Sequence, residues 1–458
     1  MLALSFDGLL VIALVAVAVP VVLGLVPRLP IPGPVLEVLA GILIGPAVLG
    51  WVHFDAPVQV LSDLGLGMLL FLAGLEIDVG GLREPLGRLA GWAFGVSVLL
   101  GLACGYVLSL AGVHAKPIFL AVVLISTAAG LLLPLLKDAG LHRAPFGQLV
   151  MAAAALAELV PVVLLSLLFS ATSRTSQARF GSLLAFLALL VVIGLALGRV
   201  RNLAALDRLL DRLEDRSAQL RVRAALTLSL AFAWLAGRFG FAAILGAFAA
   251  GLLVRTIDLT NRAPHPQFQV KLEGIGFGFL VPIFFISTGV QFDVRALVNH
   301  PAALAEVPLF LLVLLLVRAV PALAYVRLIG KRHAAAAGLM QATTLTFVIV
   351  ATQIGTTSGQ ISRPTGAALL AAGLLSATFF PPLAVKLLPA EGSAASVSPA
   401  GSDPKTAPLR AVPDAREDAP AAGARDVSKN TVSPETCPVS SGSGAAPAMA
   451  RTDRPYVT

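Results

Sequence analysis

Charged residues are scarce in this chain of 458 residues. Asp, Glu, Lys and Arg make up 13% of it, against about 25% in an average soluble domain, and hydrophobic residues make up 57%. This composition excludes an ordinary soluble domain and places the chain in a lipid bilayer. The net charge of +8 does not indicate nucleic-acid binding, because the basic residues lie in short loops between apolar segments and not on one soluble face.

Cysteine is nearly absent as well. Cys104 in an apolar segment and Cys437 in a polar one have neither metal-ligand spacing nor the pattern of a disulfide framework. The polar C-terminal region contains no G-x-G-x-x-G run, so nothing there predicts a nucleotide-binding regulatory domain. The first apolar segment lacks a basic N-terminal flank, which predicts a transmembrane helix and not a cleaved signal. We expect no cofactor and no enzymatic activity.

Long apolar runs fill most of the sequence. A spanning helix needs about 20 apolar residues, and cutting the chain at polar, Pro and Gly breaks predicts thirteen spans. They lie near residues 8–26, 34–50, 58–78, 88–112, 116–138, 146–170, 180–199, 218–238, 241–256, 270–291, 303–328, 334–357 and 363–388. This transmembrane domain (1–388) precedes residues 389–458, whose Ala, Pro, Ser and Gly predict a disordered tail.

Basic residues are distributed unevenly between alternate loops. One set of loops contains Arg28, Arg83, Arg88, Lys137, Arg143, Arg199, Arg201, Arg208, Arg212, Arg216, Arg255, Arg262, Lys271, Arg327, Lys331 and Arg332. The other set contains Lys116, Arg174, Arg179, Arg238, Arg295 and Arg363. The positive-inside rule makes the first set cytoplasmic, which predicts a multi-pass protein of the inner (plasma) membrane with an external N-terminus and a cytoplasmic C-terminus.

The two halves of the predicted membrane domain resemble each other. The run 64–79, with L-G-L-G followed by G-L-E-I-D-V, has a counterpart in 275–294, with I-G-F-G followed by G-V-Q-F-D-V. Likewise, 41–45 matches 246–251. These offsets pair spans 1–6 with spans 8–13, and the intervening seventh span makes the repeats run in opposite senses. Inverted repeats are typical of secondary transporters, with the substrate site near the bilayer midplane.

Glu158 is the charged residue that best indicates a function. It lies near the middle of the apolar stretch 146–170. A carboxylate at that depth costs about 2.5–3.5 kcal/mol on insertion scales, so it usually faces a partner or a water-filled cavity on an ion or proton pathway. We therefore predict that Glu158 binds the transported ion.

Hydroxyl side chains interrupt two of the predicted spans. Ser126 and Thr127 lie in the fifth, upstream of Pro134, and Thr343 and Thr344 lie at the matching position of the twelfth. This pattern favours two discontinuous helices that cross beside the site, with freed backbone groups satisfied locally. The alternative is that the hydroxyls bond back to carbonyls of intact helices.

Two further charged residues are candidates for supporting roles. Arg318 lies deep in the eleventh span, where a guanidinium stays charged and needs a carboxylate or carbonyl partner. We predict that Glu158 is this partner; the alternative is that Arg318 extends its head group to the membrane surface. Glu37 near the start of the second span either caps its helix or lines the site.

The motifs together resemble a known family. P-V-L-E-V-L-A-G-I-L-I-G-P-A-V-L-G (34–50), L-G-L-G-M-L-L-F-L-A-G-L-E-I-D (64–78), S-T-A-A-G-L-L-L-P-L-L-K-D-A-G-L (126–141) and P-I-F-F-I-S-T-G-V-Q-F-D (282–293) are similar to the monovalent cation:proton antiporter-2 family, the Kef-type sodium/hydrogen exchangers. The resemblance covers about residues 8–388. It implies a homodimer and a basic residue in the eleventh span, matched by Arg318.

The family usually carries a polar-acidic pair in the sixth span, where this chain has Ala157 and Glu158. We therefore predict exchange of a monovalent cation, sodium or potassium, for protons at one carboxylate, with Ser126 and Thr127 completing the oxygen shell. An uncoupled channel or a non-transporting sensor is the alternative, because Ala157 removes a polar side chain. An organic-anion carrier using Arg318 is disfavoured by the carboxylate at 158.

Overall fold

The computed structural model describes residues 6–26, 31–77, 83–138, 140–142, 144–169, 176–201, 220–259 and 266–388, and these ranges are helical apart from short connections. The predicted tail, 389–458, lies outside them. The helices are α1 (Asp7–Leu25), α2 (Gly33–Ile44), α3 (Ala56–Glu76), α4 (Pro85–Leu110), α5 (Pro117–Leu124), α6 (Ala129–Asp138), α7 (Pro145–Phe169), α8 (Ser176–Arg201), α9 (Leu220–Phe239), α10 (Ala243–Leu259), α11 (Pro266–Ile275), α12 (Val281–Val290), α13 (Val294–Val298), α14 (Pro301–Ala322), α15 (Val326–Gln341), α16 (Thr346–Thr357) and α17 (Arg363–Leu387).

The helices have the length and composition of a membrane protein. Eight described stretches are long and apolar enough to cross a bilayer, and four shorter apolar helices accompany them. Their outward faces carry large apolar side chains such as Leu14, Trp92 and Leu195, which lipid can solvate. The chain is therefore an all-α membrane protein.

Local sequence sets many of the helix starts. Proline occupies the first turn of α2, α3, α4, α5, α14 and α17, where its missing N–H costs no intrahelical hydrogen bond. The side chain of Asp55 caps α3 by accepting from the Val58 N–H at 3.1 Å, and Asp293 caps α13 by accepting from the Ala296 N–H at 2.8 Å. Gly330, with φ 79° and ψ 164°, bends the chain inside α15 in a conformation that favours glycine.

Glycines allow two pairs of helices to pack at backbone distance. A methyl group at Gly41 of α2 would overlap the Ile286 carbonyl of α12, and one at Gly289 of α12 would overlap the Val38 carbonyl of α2. The α3–α10 pair has the same arrangement, in which Gly74 faces the Phe248 carbonyl and Gly251 faces the Phe71 carbonyl. Small residues permit such close approach in membrane helices. Around this framework, α7 packs against α4, α6, α15 and α16.

Two glycines of α3 offer a matched test of this packing. A methyl group at Gly65 would overlap the Leu280 carbonyl, whereas one at Gly67 meets no atom within 4 Å. We expect Gly65→Ala to destabilise the protein by about 1–3 kcal/mol through overpacking. Gly67→Ala should be neutral or up to about 1 kcal/mol stabilising, because alanine is the better helix former. Thermal unfolding in detergent measures both; equal melting temperatures would contradict the close α3–α12 contact.

Candidate functional site

Two helices are interrupted at the positions that the hydroxyl runs predict. The chain leaves helical geometry between α5 and α6, at Ser126 and Thr127, and again between α15 and α16, at Thr343 and Thr344. All four residues are fully buried, at 0% exposure. Each interruption frees backbone groups that must find partners inside the protein, because lipid supplies none.

The two interruptions satisfy each other where they cross. The Ala128 N–H donates to the Thr343 carbonyl at 3.0 Å, and the hydroxyls of Ser126 and Thr344 lie 3.0 Å apart. The Thr127 hydroxyl donates to the Gln341 carbonyl at 2.5 Å, at the end of α15. The alternative of hydroxyls that only bond back along intact helices is therefore wrong for this pair of segments.

A serine that sequence reasoning missed braces the second interruption. The Ser376 hydroxyl of α17 accepts from the Thr344 N–H at 3.1 Å and lies 2.9 Å from the Thr344 carbonyl oxygen. The Ser376 hydroxyl thus contacts both the N–H and the carbonyl of Thr344, which lies outside the helices. A single serine in an apolar span carries no sequence signal for this role, because serines commonly bond back to their own helix.

Glu158 lies on α7 directly beside the crossing. The carbonyl of the preceding residue, Ala157, accepts from the Thr127 N–H at 3.1 Å, which ties α7 to the first interruption. The Glu158 side chain is 4% exposed, and its Oε2 atom has no hydrogen-bond partner within the described part of the chain. A buried carboxylate in this condition needs a proton or a cation.

Glu76 is the second carboxylate at this place, and sequence reasoning did not select it. It ends α3, its Oε2 atom is enclosed without a hydrogen-bond partner in the described residues, and that atom lies 3.9 Å from the Cβ position of Gly130 in the first turn of α6. Glu76 is within electrostatic range of Glu158, and also of Lys137 and Glu273. The sequence did contain a signal for Glu76, because the residue at the matching position in the other half of the chain, Gln291, is neutral.

A cavity of about 310 Å³ contains Glu76 in its wall and runs along α7. It is lined by Glu76, Ile77, Glu84, Leu86, Gly87, Ala129, His142, Gln148, Met151, Ala152 and Ala155. Ala155 lies one helical turn before Glu158 on α7, so the cavity comes within one turn of the residue that carries the buried carboxylate. A second cavity, of about 460 Å³, contains Phe54 and Gln291 and lies at the opposite end of α3.

Arg318 has other partners than the one predicted. Its side chain is 0% exposed, which also excludes the alternative that it reaches the membrane surface. The guanidinium donates from Nε to the Gln341 carbonyl at 3.3 Å and from Nη1 to the Ser97 hydroxyl at 3.1 Å, and it lies 5.6 Å from the Phe94 ring centroid. The described residues contain no Arg318–Glu158 ion pair. The end of α15 instead offers a carbonyl that has no partner within its own helix and carries partial negative charge.

Glu37 does not join the crossing by a hydrogen bond in the described structure. It is 9% exposed and lies beyond the first turn of α2, so it does not cap that helix. Of the predicted site residues, the structure thus brings together Ser126, Thr127, Thr343, Thr344 and Glu158, and it attaches Arg318 through Gln341.

This arrangement defines a class of protein. Two interrupted helices that cross at the protein interior, beside a buried carboxylate, are the construction used by secondary transporters. A family model described as sodium/hydrogen exchanger, transmembrane, matches residues 11–387. The chain belongs to the sodium/hydrogen exchanger family, which confirms the resemblance to cation:proton antiporters.

Individual relatives agree with this assignment. YjbQ of Bacillus subtilis strain 168 is 29% identical over 392 residues, which cover 82% of this chain and 62% of YjbQ. The Na(+)/H(+)-K(+) antiporter GerN of Bacillus cereus is 28% identical over 302 residues, 65% of this chain and 75% of GerN. The structure of the sodium proton antiporter MjNhaP1 from Methanocaldococcus jannaschii, solved at pH 8, is similar to this one with a TM-score of 0.54 and a sequence identity of 17%. The match covers 83% of this chain and 98% of the MjNhaP1 chain. At that identity the likeness shows the fold alone.

Proposed function

We propose that this protein exchanges a monovalent cation for protons across the membrane, and that Glu158 binds either one in turn. The observation that supports this most directly is the Glu158 carboxylate, 4% exposed and with an unpartnered Oε2 atom, next to the crossing of two interrupted helices. The relative GerN carries the name of a Na(+)/H(+)-K(+) antiporter. A hard monovalent cation prefers oxygen ligands, which this region supplies.

The remaining ligands come from the crossing itself. Ser126 donates to the Val123 carbonyl at 2.7 Å, and Thr127 donates to the Gln341 carbonyl. A hydroxyl that donates one hydrogen bond keeps lone pairs that can coordinate a cation. These two hydroxyls and nearby carbonyls therefore complete an oxygen shell around the ion, while their hydrogen bonds hold the interrupted segments in place.

Competition at one site couples the two fluxes. The charged, empty carboxylate is costly to carry through the membrane interior, whereas the protonated or cation-bound form is neutral. The protein therefore changes its orientation only with a proton or a cation bound. A channel or a sensor on this fold would lack that constraint.

The architecture proposed for this movement is thirteen spans in two inverted repeats, spans 1–6 and 8–13. The reciprocal glycine contacts support it, because the repeat relates Gly41 of α2 to the 246–251 region of α10 and Gly74 of α3 to Gly289 of α12. A pseudo-two-fold axis exchanges the α2–α12 pair with the α10–α3 pair. We further propose that the protein is a homodimer of the plasma membrane and that residues 389–458 form a tail outside the membrane domain.

Flux measurements in proteoliposomes test the proposed function. With an imposed pH gradient, addition of Na⁺ or K⁺ should dissipate the gradient, and the same cation should move in the opposite direction to the protons. Cation movement that leaves the pH gradient intact would favour an uncoupled channel. Absence of any cation movement would favour a sensor, and transport of an organic anion alone would favour the carrier based on Arg318.

The charge distribution of the loops predicts the orientation. A tag placed before Asp7 should be external and a tag after Leu388 should be cytoplasmic, because the loops rich in Arg and Lys stay inside. Protease accessibility of each tag in right-side-out and inverted vesicles provides the measurement. Two tags on one side would contradict the odd number of spans.

A further inference from the structure

The second interruption is held by a side chain of α17. Ser376 is 0% exposed, and its hydroxyl accepts from the Thr344 N–H at 3.1 Å. The same hydroxyl lies 2.9 Å from the Thr344 carbonyl oxygen and 2.8 Å from the Gly373 carbonyl oxygen. A hydroxyl has one hydrogen, so it donates to one of these carbonyls at a time and accepts from the Thr344 N–H in either case. Ser376 therefore fixes the backbone of Thr344.

Gly373 allows α17 to approach this residue closely. A methyl group at Gly373 would lie 3.1 Å from the Thr344 carbonyl oxygen, and Ser376 follows one helical turn later. The proposed inverted repeat pairs spans 6 and 13, so α17 is the counterpart of α7. There the Thr127 N–H donates to the Ala157 carbonyl at 3.1 Å. Each interruption thus has one N–H that is held by the last span of its own repeat.

The side chain of Thr344 carries this constraint to a proposed ion ligand. Its hydroxyl lies 3.0 Å from the hydroxyl of Ser126. Ser126 donates its one hydrogen to the Val123 carbonyl at 2.7 Å, so Thr344 is the donor in the contact with Ser126. This bond occupies one lone pair of the Ser126 oxygen and leaves the other for a cation. The direction of the free lone pair depends on where the Thr344 hydroxyl lies.

We propose that Ser376 is a positioning residue for the transported cation and acts through Thr344 to aim the free lone pair of Ser126 at the ion. Ser376 does not contact the ion itself. Na⁺ and K⁺ differ in size, so a shift of one oxygen ligand changes their affinities by different factors. Ser376 therefore sets both the cation affinity and the preference between Na⁺ and K⁺. This inference rests on the proposed function, in which Ser126 binds the cation.

Cation-induced stabilisation tests the inference without requiring transport. The melting temperature of the purified full-length protein is measured against increasing NaCl or KCl, with choline chloride holding the ionic strength constant. For Ser376→Ala we expect the cation concentration that gives half of the shift to rise at least about fivefold, the size expected for one lost hydrogen bond. The ratio of the Na⁺ and K⁺ values should change at least about threefold, which a loss of overall stability alone would not cause.

Thr378→Val is the matched control. Thr378 also lies on α17, but its hydroxyl donates to the Leu374 carbonyl of the same helix at 2.7 Å and reaches no other segment in the described structure. Its removal should change the half-saturating concentration less than about twofold. In proteoliposomes, Ser376→Ala should raise the KM for the cation by the same factor as the half-saturating concentration and leave kcat within about twofold of wild type.

A double-mutant cycle with Thr344→Val tests whether Ser376 acts through Thr344. This variant removes the Thr344 hydroxyl and keeps the backbone groups that Ser376 holds, and it should lower the cation affinity as much as Ser376→Ala does. The combined variant should stay within about twofold of the weaker single variant, because both changes release the same lone pair of Ser126. Effects that multiply, to about 25-fold, would show that the two residues act independently, and they overturn the inference.

The remaining outcomes separate this inference from the proposed function. Unchanged cation affinity and unchanged Na⁺/K⁺ ratio in Ser376→Ala, with a lower melting temperature in choline alone, mean that Ser376 only braces the backbone, and they overturn the inference. If Glu158→Gln lacks the cation response and the exchange in that case, the proposed function stands. A wild-type protein with neither cation stabilisation nor exchange overturns both.

Discussion

Cation-dependent proton exchange is expected to fall to the level of empty liposomes when Glu158 is replaced by Gln. The substitution keeps the size of the side chain and removes the only group on α7 beside the crossing that can hold either a proton or a cation. The site is 4% exposed, so water does not substitute for the lost ligand. Insertion and folding should persist, because a neutral amide is cheaper to bury than a carboxylate.

Glu306→Gln is the matched control for that experiment. Glu306 is also a buried carboxylate, 9% exposed, with an unpartnered Oε2 atom in the described structure, but it lies near the start of α14, away from the crossing. It should retain at least about half of the wild-type exchange rate. Exchange at the wild-type rate in Glu158→Gln would remove this residue from the mechanism.

Replacing Arg318 with Gln is expected to lower the exchange rate about tenfold or more. The guanidinium holds the Gln341 carbonyl, which also accepts the hydrogen bond from Thr127, so it fixes both sides of the crossing. Hydrogen bonds to charged groups contribute about 1.5–3 kcal/mol, and each 1.4 kcal/mol corresponds to about a factor of ten. The shorter Gln side chain cannot span the same distance to both Gln341 and Ser97.

Two further variants assign that effect to positioning. Arg318→Lys keeps one charged donor and should recover part of the rate, whereas Ser97→Ala removes only the Nη1 contact and should have the smaller effect. Cation affinity, measured by thermal stabilisation, should change less than the exchange rate, because Arg318 does not contact Glu158 in the described structure. A loss of cation affinity as large as in Glu158→Gln would instead indicate a direct role at the ion.

Much of the fold follows from local properties of the chain. Apolar runs of helical length placed the transmembrane segments, because burial of apolar residues in lipid needs no particular neighbour. The interruptions at Ser126 and Thr127, and at Thr343 and Thr344, were predicted because hydroxyls in mid-span are a local signal for freed backbone groups. Glu158 was selected because a charge surrounded by apolar sequence is unusual wherever it lies.

The partners of those residues did not follow from the sequence. Arg318 was assigned to Glu158 because both are charged and deep in the membrane, but the guanidinium instead faces a backbone carbonyl and a serine. Every residue has a carbonyl acceptor, so no sequence pattern marks the carbonyl that the folded chain leaves without a backbone partner. Glu76 was not selected either, although the neutral Gln291 at the matching position in the other half of the chain was a signal for it.

By itself, the sequence determined that this protein is helical and membrane-embedded, where its helices break, and that Glu158 is its most informative charge. These conclusions depend on hydrophobicity and backbone satisfaction, which act over a few residues. Only the tertiary structure decided that Glu76 lies beside the first turn of α6, that Ser376 braces the second interruption, and that Arg318 holds Gln341. Those contacts join residues that are distant in the chain, and they depend on which faces of the helices pack together. Glycines such as Gly41 and Gly74 allow that close packing.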